Sequence, residues 1–151
     1  MVDTNGTISD LPRTVPGHLG IVLTHVSGTR VIAEIEVTSQ HMAANGFLRA
    51  GAVVTLADTA AGYGCSVSLP AGASSFTTIE LKSNHVGTAR EGTIECVATP
   101  VHQGRTTQVW DAIVTHVQSG RTIAVFRCTQ MILYRNRTFA QTTDHSVADA
   151  S

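Results

Sequence analysis

Lysine is almost missing from this 151-residue chain: Lys82 stands alone beside nine arginines, and charged residues of both signs make up only 14% of the sequence. With a formal net charge of −1 there is no broad basic field, which disfavours binding to nucleic acid by counterion release. A polyanionic ligand therefore needs a local patch, and arginine suits one wherever two converge, because its planar fork matches phosphate or carboxylate. Cysteine is also scarce. Cys65, Cys96 and Cys128 are odd in number, lie far apart in apolar runs and form no CxxC pair, so they read as small core residues in a reducing compartment and not as a disulfide framework. No apolar run approaches the roughly 18 residues of a membrane span. The opening MVDTNGTISD has neither a basic start nor an apolar stretch. The expected location is the cytoplasm, with neither membrane nor nucleic acid as a partner.

Several chemistries lack their residues. There is no GxSxG nucleophile elbow. The seven histidines form no HExxH and no close pairing with cysteine, so no metal site is expected. Gly87 to Gly92 has P-loop spacing, but Thr93 stands where the phosphate cradle requires lysine. Gly62-Tyr63-Gly64 begins a GxG pattern inside a helical segment, without the third glycine of a dinucleotide site, and reads as helix packing.

What is present is a chain that is 42% hydrophobic, enough for one domain with a proper core. With so little charge, some of the apolar surface is expected between subunits. Residues 1–17 and 136–151 are polar and without period and read as flexible arms, leaving a domain over 18–135. GIVLTHV and RVIAEIEVT read as a β-hairpin. GAVVTLADTAAGYGCSVSL, alanine-rich and free of proline, is the one long helix. Four β-rich stretches follow: SSFTTIELKSNHV, TIECVATPVH, RTTQVWDAIVTHV and RTIAVFRCTQMILYR. They are separated by GTAREG, QG and QSG, short turns of the kind that join antiparallel neighbours. The order β-β-α-β-β-β-β is an α+β arrangement in which one helix covers one face of the sheet. The other face, or an edge, is then a natural dimerisation surface.

The helix is apolar nearly all round, except for a stripe of Thr55, Asp58, Thr59, Gly62 and Ser66. Asp58 is the only acidic residue between Gln40 and Ile79, and aspartate is a poor mid-helix residue. Burying it ionised and unpartnered costs several kcal/mol. Periodicity alone divides evenly between a solvent face and a functional carboxylate. The run Asn45-Gly46-Phe47-Leu48-Arg49-Ala50-Gly51 shifts the balance, because it feeds small residues into the helix N-terminus, where free amides and the helix dipole suit a developing negative oxygen. Asp58 lies about 10 Å along the helix from that end. The separation is too long for both to serve one carbonyl from a single subunit unless the ligand spans it, which makes a two-subunit site attractive.

The segments NGFLRAGAVVTLADTAAGYGC, FTTIELKSNHVGTAREGTIECVATPVHQGRTTQVWDAIV and GRTIAVFRCTQMIL together resemble the hotdog-fold acyl-CoA thioesterases of the phenylacetyl-CoA thioesterase (PaaI-like) type, over roughly residues 19 to 134. The resemblance implies hydrolysis of an acyl-CoA, with an aryl- or phenylacetyl-CoA among the candidates, by a homodimer or a dimer of dimers. It implies no cofactor, coenzyme A being part of the substrate. Carried over by position, Asp58 is the nucleophile or the general base for water, and the Ala50 amide, with Gly51 beside it, is the oxyanion donor from a neighbouring subunit. Thr78 orients the water, with Thr77 as the fallback. Arg49 replaces the usual histidine and offers a cation to the thioester oxygen or a phosphate. The usual Asn or Gln falls on Ala43, with Asn45 two positions out of register, and a hydroxyl found in some relatives falls on Gly62. Gly104-Arg105 matches the nucleotide-binding turn, with Lys82, Arg90 and Arg135 as further candidates, while His85 and His102 read as surface residues at strand ends. Two other readings compete. One is a non-catalytic acyl-CoA-binding dimer, favoured by the missing His and Asn. The other is a hotdog enoyl-CoA hydratase or dehydratase, which needs His41 or His85 beside Asp58.

Overall fold

The computed structural model describes Leu11 and residues 13–135. The expected tail, 136–151, and most of the expected N-terminal arm lie outside the described residues. The last part of that arm is not plain coil. Thr14 precedes a one-turn helix, α1 (Val15–His18), which holds Pro16 in its first turn, where a missing N–H is harmless, and Leu11 joins the core. The folded domain therefore starts a few residues before position 18.

β1 (Val22–Val26) and β2 (Val31–Glu36) form the expected hairpin, with Val26 opposite Val31. Val31, Ala33 and Ile35 point inward, while Glu36 is exposed. After β2 a 3-10 turn, Ser39–His41, buries His41. Its Nδ1 accepts the Thr38 amide at 3.0 Å and its Nε2 donates to the Leu19 carbonyl at 2.8 Å, so the ring ties this turn to the chain that leads into β1.

α2 (Ala50–Val67) follows, then β3 (Ser75–His85), β4 (Thr93–Gln103), β5 (Thr107–His116) and β6 (Thr122–Leu133). The six strands form one antiparallel sheet in the order β1-β2-β4-β5-β6-β3, and α2 lies across its inner face. The β4–β5 and β5–β6 turns join neighbours as expected, but GTAREG does not. β3 pairs with β6 at the far end of the sheet, because β4 already has β2 on one side and β5 on the other. The Val86 and Gly87 amides both donate to the Ile123 carbonyl, so the chain leaves β3 beside β6 and then crosses to β4. β3 is thus an edge strand, and its Ile79 and Leu81 stand 55% and 42% exposed.

The core fills the space between α2 and the sheet with Val53, Leu56, Ala60, Ile94, Trp110 and Phe126. The three cysteines are buried and unbridged, as expected of core residues, and burial pushes their thiols up to about 11 for Cys65 and about 12 for Cys96 and Cys128. Thiolate chemistry is therefore out of reach near neutral pH.

Helix and sheet come close together at Gly64. A Cβ there would lie 2.3 Å from the ring of Trp110, which is fully buried and donates its Nε1–H to the Gln108 Oε1 at 2.8 Å. Alanine favours a helix over glycine by about 1 kcal/mol, but overpacking a fixed ring costs about 1–3 kcal/mol. Gly64→Ala is accordingly expected to destabilise the fold despite its better helix propensity, read as a lower urea midpoint at unchanged slope.

Candidate active site

The polar stripe on α2 divides in two. Thr55 Oγ1 donates to the Gly51 carbonyl at 2.8 Å and Thr59 Oγ1 to the Thr55 carbonyl at 2.6 Å, so both hydroxyls are occupied by their own helix. Asp58 is left facing outward from the core, half-buried, into a cleft of about 410 Å³ that it shares with Thr78, Phe76, Tyr63 and Pro16. The alternation of β3 places Thr77 on the exposed side and Thr78 toward the helix, beside Asp58. Thr78 Oγ1 stands 3.4 Å from Asp58 Oδ1, a long contact, and 2.8 Å from Gln130 Oε1. Burial raises the Asp58 carboxyl above the ordinary aspartate range, and the Thr78 hydroxyl pulls it part of the way back. Such a carboxylate is a better proton acceptor than an exposed one while remaining an acid of moderate strength.

At the helix N-terminus, Arg49 is the N-cap residue in extended conformation, with no side-chain cap. Its carbonyl accepts from the Ala52 and Val53 amides, whereas the amides of Ala50 and Gly51, both exposed residues, donate to no backbone carbonyl among the described residues. The loop before it is fixed from several sides. Met42 bridges to Leu48, the Arg49 amide donates to the His41 carbonyl at 2.8 Å, and the Leu48 amide donates to Thr88 Oγ1 at 3.0 Å. Two donors are therefore held in place at the dipole's positive end. By helix rise they lie roughly 12 Å from Asp58, so one protomer presents the two halves of the constellation apart.

The remaining candidates scatter. Asn45 sits at the exposed loop tip, where its Oδ1 accepts the Phe47 amide at 3.2 Å; it shapes the loop and does not approach Asp58 within the protomer. The Arg49 side chain is exposed. Arg90 lies 5.9 Å over the Phe47 ring, next to the helix N-terminus. Gly104 and Arg105 lie in the β4–β5 turn; the adjoining Gln103 reaches the Gly28 carbonyl, and Gly28 packs on Ser68 just beyond the C-terminal end of α2. Arg90 and Arg105 thus mark opposite ends of an 18-residue helix and form no single patch within one protomer. Lys82 is on the outer face of the sheet, across from Arg127, which is paired with Asp111. Arg135, His85 and His102 are exposed.

Neither histidine required for hydration chemistry reaches Asp58. Both ring nitrogens of His41 are engaged elsewhere, and His85 lies seven residues beyond Thr78 along β3, roughly 23 Å by strand rise. The GxG segment packs as expected, with Gly62 against Phe76 and Gly64 against Trp110.

Gln130 was not among the sequence candidates, and neither were Pro16, Tyr63 and Phe76. A signal for Gln130 was available. The inward positions of β6 read Ala124, Phe126, Cys128, Gln130, Ile132, and the one amide in that apolar series stands directly opposite Thr78.

The sequence profile of the thioesterase superfamily matches residues 45–123. ComA2 of Bacillus subtilis, provisionally named an esterase, is 32% identical over 124 residues, spanning 82% of this chain and 98% of that protein. The 1,4-dihydroxy-2-naphthoyl-CoA hydrolase of Escherichia coli is 34% identical over 120 residues, 78% of this chain and 85% of the hydrolase. Among solved structures, a thioesterase from Haemophilus influenzae superposes with a TM-score of 0.76 at 25% identity, covering 84% of this chain and 87% of the other.

Proposed function

The chain belongs to the thioesterase superfamily, with the hotdog fold and the thioester-hydrolase activity that go with it, and we propose that its substrate is an acyl-CoA with an aromatic acyl group, cleaved between two copies of the chain without a cofactor. The observation that carries this reading is the half-buried Asp58 beside Thr78 in a cleft walled by Phe76, Tyr63 and Pro16. Flat apolar walls suit an aryl group, and a relative of 34% identity is named a naphthoyl-CoA hydrolase.

In the proposed dimer the exposed edges of β3 pair, covering Ile79 and Leu81 and bringing the Ala50 and Gly51 amides of one copy toward Asp58 of the other. Asp58 takes a proton from water while the water oxygen attacks the thioester carbon. The carbonyl oxygen gains negative charge against the two amides. Collapse breaks the C–S bond, the sulfur leaves as thiolate and takes up the proton from Asp58, and the products are free acid and coenzyme A. Arg90 at the helix N-terminus and Arg105 in the β4–β5 turn are the cations proposed for the nucleotide phosphates.

The test is thiol release, followed with a chromogenic trap, across short, long and aryl acyl-CoAs. Turnover is expected to be highest for aryl-CoAs. A preference for long straight chains would refute the aromatic assignment, and tight calorimetric binding with no release from any of them would replace hydrolysis by the non-catalytic binding dimer.

A further inference from the structure

Three polar side chains on the inner face of the sheet form a row of direct cross-strand partners: Gln108 on β5, Gln130 on β6 and Thr78 on β3. Gln108 has an evident structural duty. Its Oε1 accepts from Trp110 and Ser68, and its Nε2 donates to the Ser68 carbonyl, which fastens the end of α2. Gln130 has no such duty. It is fully buried, its Nε2 donates at 3.4 Å to Cys128 Sγ, a weak acceptor, and its Oε1 accepts from Thr78 at 2.8 Å. A buried amide between Cys128 and Ile132 is a poor choice for stability alone, since an apolar residue of like volume needs no partners.

The Thr78 hydroxyl has one proton and two acceptors in reach, Gln130 at 2.8 Å and Asp58 at 3.4 Å. It cannot satisfy both, and the shorter contact wins. We propose that Gln130 is a positioning residue for hydrolysis: by holding the Thr78 proton, it turns the hydroxyl's lone pairs toward the attacking water and leaves the Asp58 carboxylate unoccupied. The water then gives one hydrogen to Asp58 and the other to Thr78, so its own lone pair faces the thioester carbon. Without Gln130 the Thr78 proton swings to Asp58, occupies the base and makes it weaker. This inference rests on the role proposed for Asp58 above. Among the described residues Asp58 is the only charged residue lining the cleft, where Tyr63 is the other ionisable side chain; burial pushes the thiol of Cys128 on β6, which is coupled to Asp58 from the core, up to about 12, and that of Cys65 on α2 up to about 11.

The experiment is a carbon-13 NMR titration of the Asp58 carboxyl, identified by its loss in Asp58→Asn, run beside the pH profile of kcat. In Gln130→Met, a change that nearly preserves volume, the Asp58 midpoint and the acid limb of kcat are both expected to move down by on the order of one pH unit. The plateau is expected to fall roughly ten- to a hundredfold. In Thr78→Val the midpoint is expected to rise only by the small amount that the long 3.4 Å contact contributes, and adding Gln130→Met to Thr78→Val is expected to move it no further. An unmoved midpoint in Gln130→Met overturns the proposal. So does a rise of about one pH unit or more in Thr78→Val, the size expected if the Thr78 proton sat mainly on Asp58, and this stands as an independent test if the methionine variant fails to fold. The titration needs no substrate, so a wild type that releases no thiol would refute hydrolysis and still leave the Thr78 proton located.

Discussion

Asp58→Asn is expected to remove hydrolysis almost completely and, at the same time, to make the protein more stable at neutral pH. The loss follows from the chemistry. The amide keeps the size of the carboxylate and its place opposite Thr78, 3.4 Å away in the wild type, but it cannot accept a proton from water. Positioned proton transfer contributes about 10²–10⁴-fold, so a fall in kcat of roughly three orders of magnitude is expected, with KM little changed. The gain follows from the surroundings. Burial raises the folded-state carboxyl above its unfolded value, so between those two values the folded protein binds more protons than the unfolded chain. Stability therefore falls as pH rises from the unfolded value, about 3.9, through the folded one, and the full penalty is present at neutral pH. Asparagine never ionises and escapes it. Thermal melts should place the variant above wild type near pH 7 and bring the two together near pH 3, where Asp58 is protonated in both states. A variant that keeps wild-type turnover would remove Asp58 from the mechanism, and one that melts lower at neutral pH would mean the carboxylate holds the fold together.

Ala50→Pro is expected to lower kcat by about 10²–10³-fold while leaving the fold intact, the range seen when one oxyanion donor is deleted. A backbone amide is usually beyond the reach of point substitution, but here the local geometry permits it. Ala50 is the first residue of α2, the position where proline is best tolerated, and its N–H donates to no backbone carbonyl among the described residues. The residue before a proline must be extended, and Arg49 already is, at φ −68° and ψ 128°. The substitution thus deletes one N–H and little else. Circular dichroism and the urea midpoint should stay near wild type while turnover collapses; undiminished turnover would show that the oxyanion lies elsewhere. If the site is shared between copies, mixing Ala50→Pro with Asp58→Asn is expected to restore activity, because one hybrid site then carries neither defect.

The sequence made the major elements legible because their signals are local: alternation in the strands, an alanine-rich run without proline in α2, and glycine-bearing turns between them. α1 and the turn at Ser39–His41 were not legible, since four and three residues are too few to show a period. The place of β3 at the sheet edge was not legible either. GTAREG is short enough for a hairpin, and only the competition of β2, β5 and β6 for partners decides that it crosses instead. In the site, Asp58 was legible as an isolated acid and Thr78 through resemblance. The walls were not, because Pro16, Tyr63 and Phe76 come from three elements and meet only in the folded chain. The distance between the Ala50 amide and Asp58 was legible from helix geometry alone.

Trp110 is the chain's only tryptophan, and it is fully buried against Gly64 with its indole N–H bonded to Gln108. The molecule therefore carries one optical reporter, seated where the helix meets the sheet. Its emission should be blue-shifted while α2 lies in place and move to the red only when water reaches that contact. Unlike an absorbance trap for thiols, this signal needs neither substrate nor label, and it reads the helix that carries Asp58 in every variant discussed above.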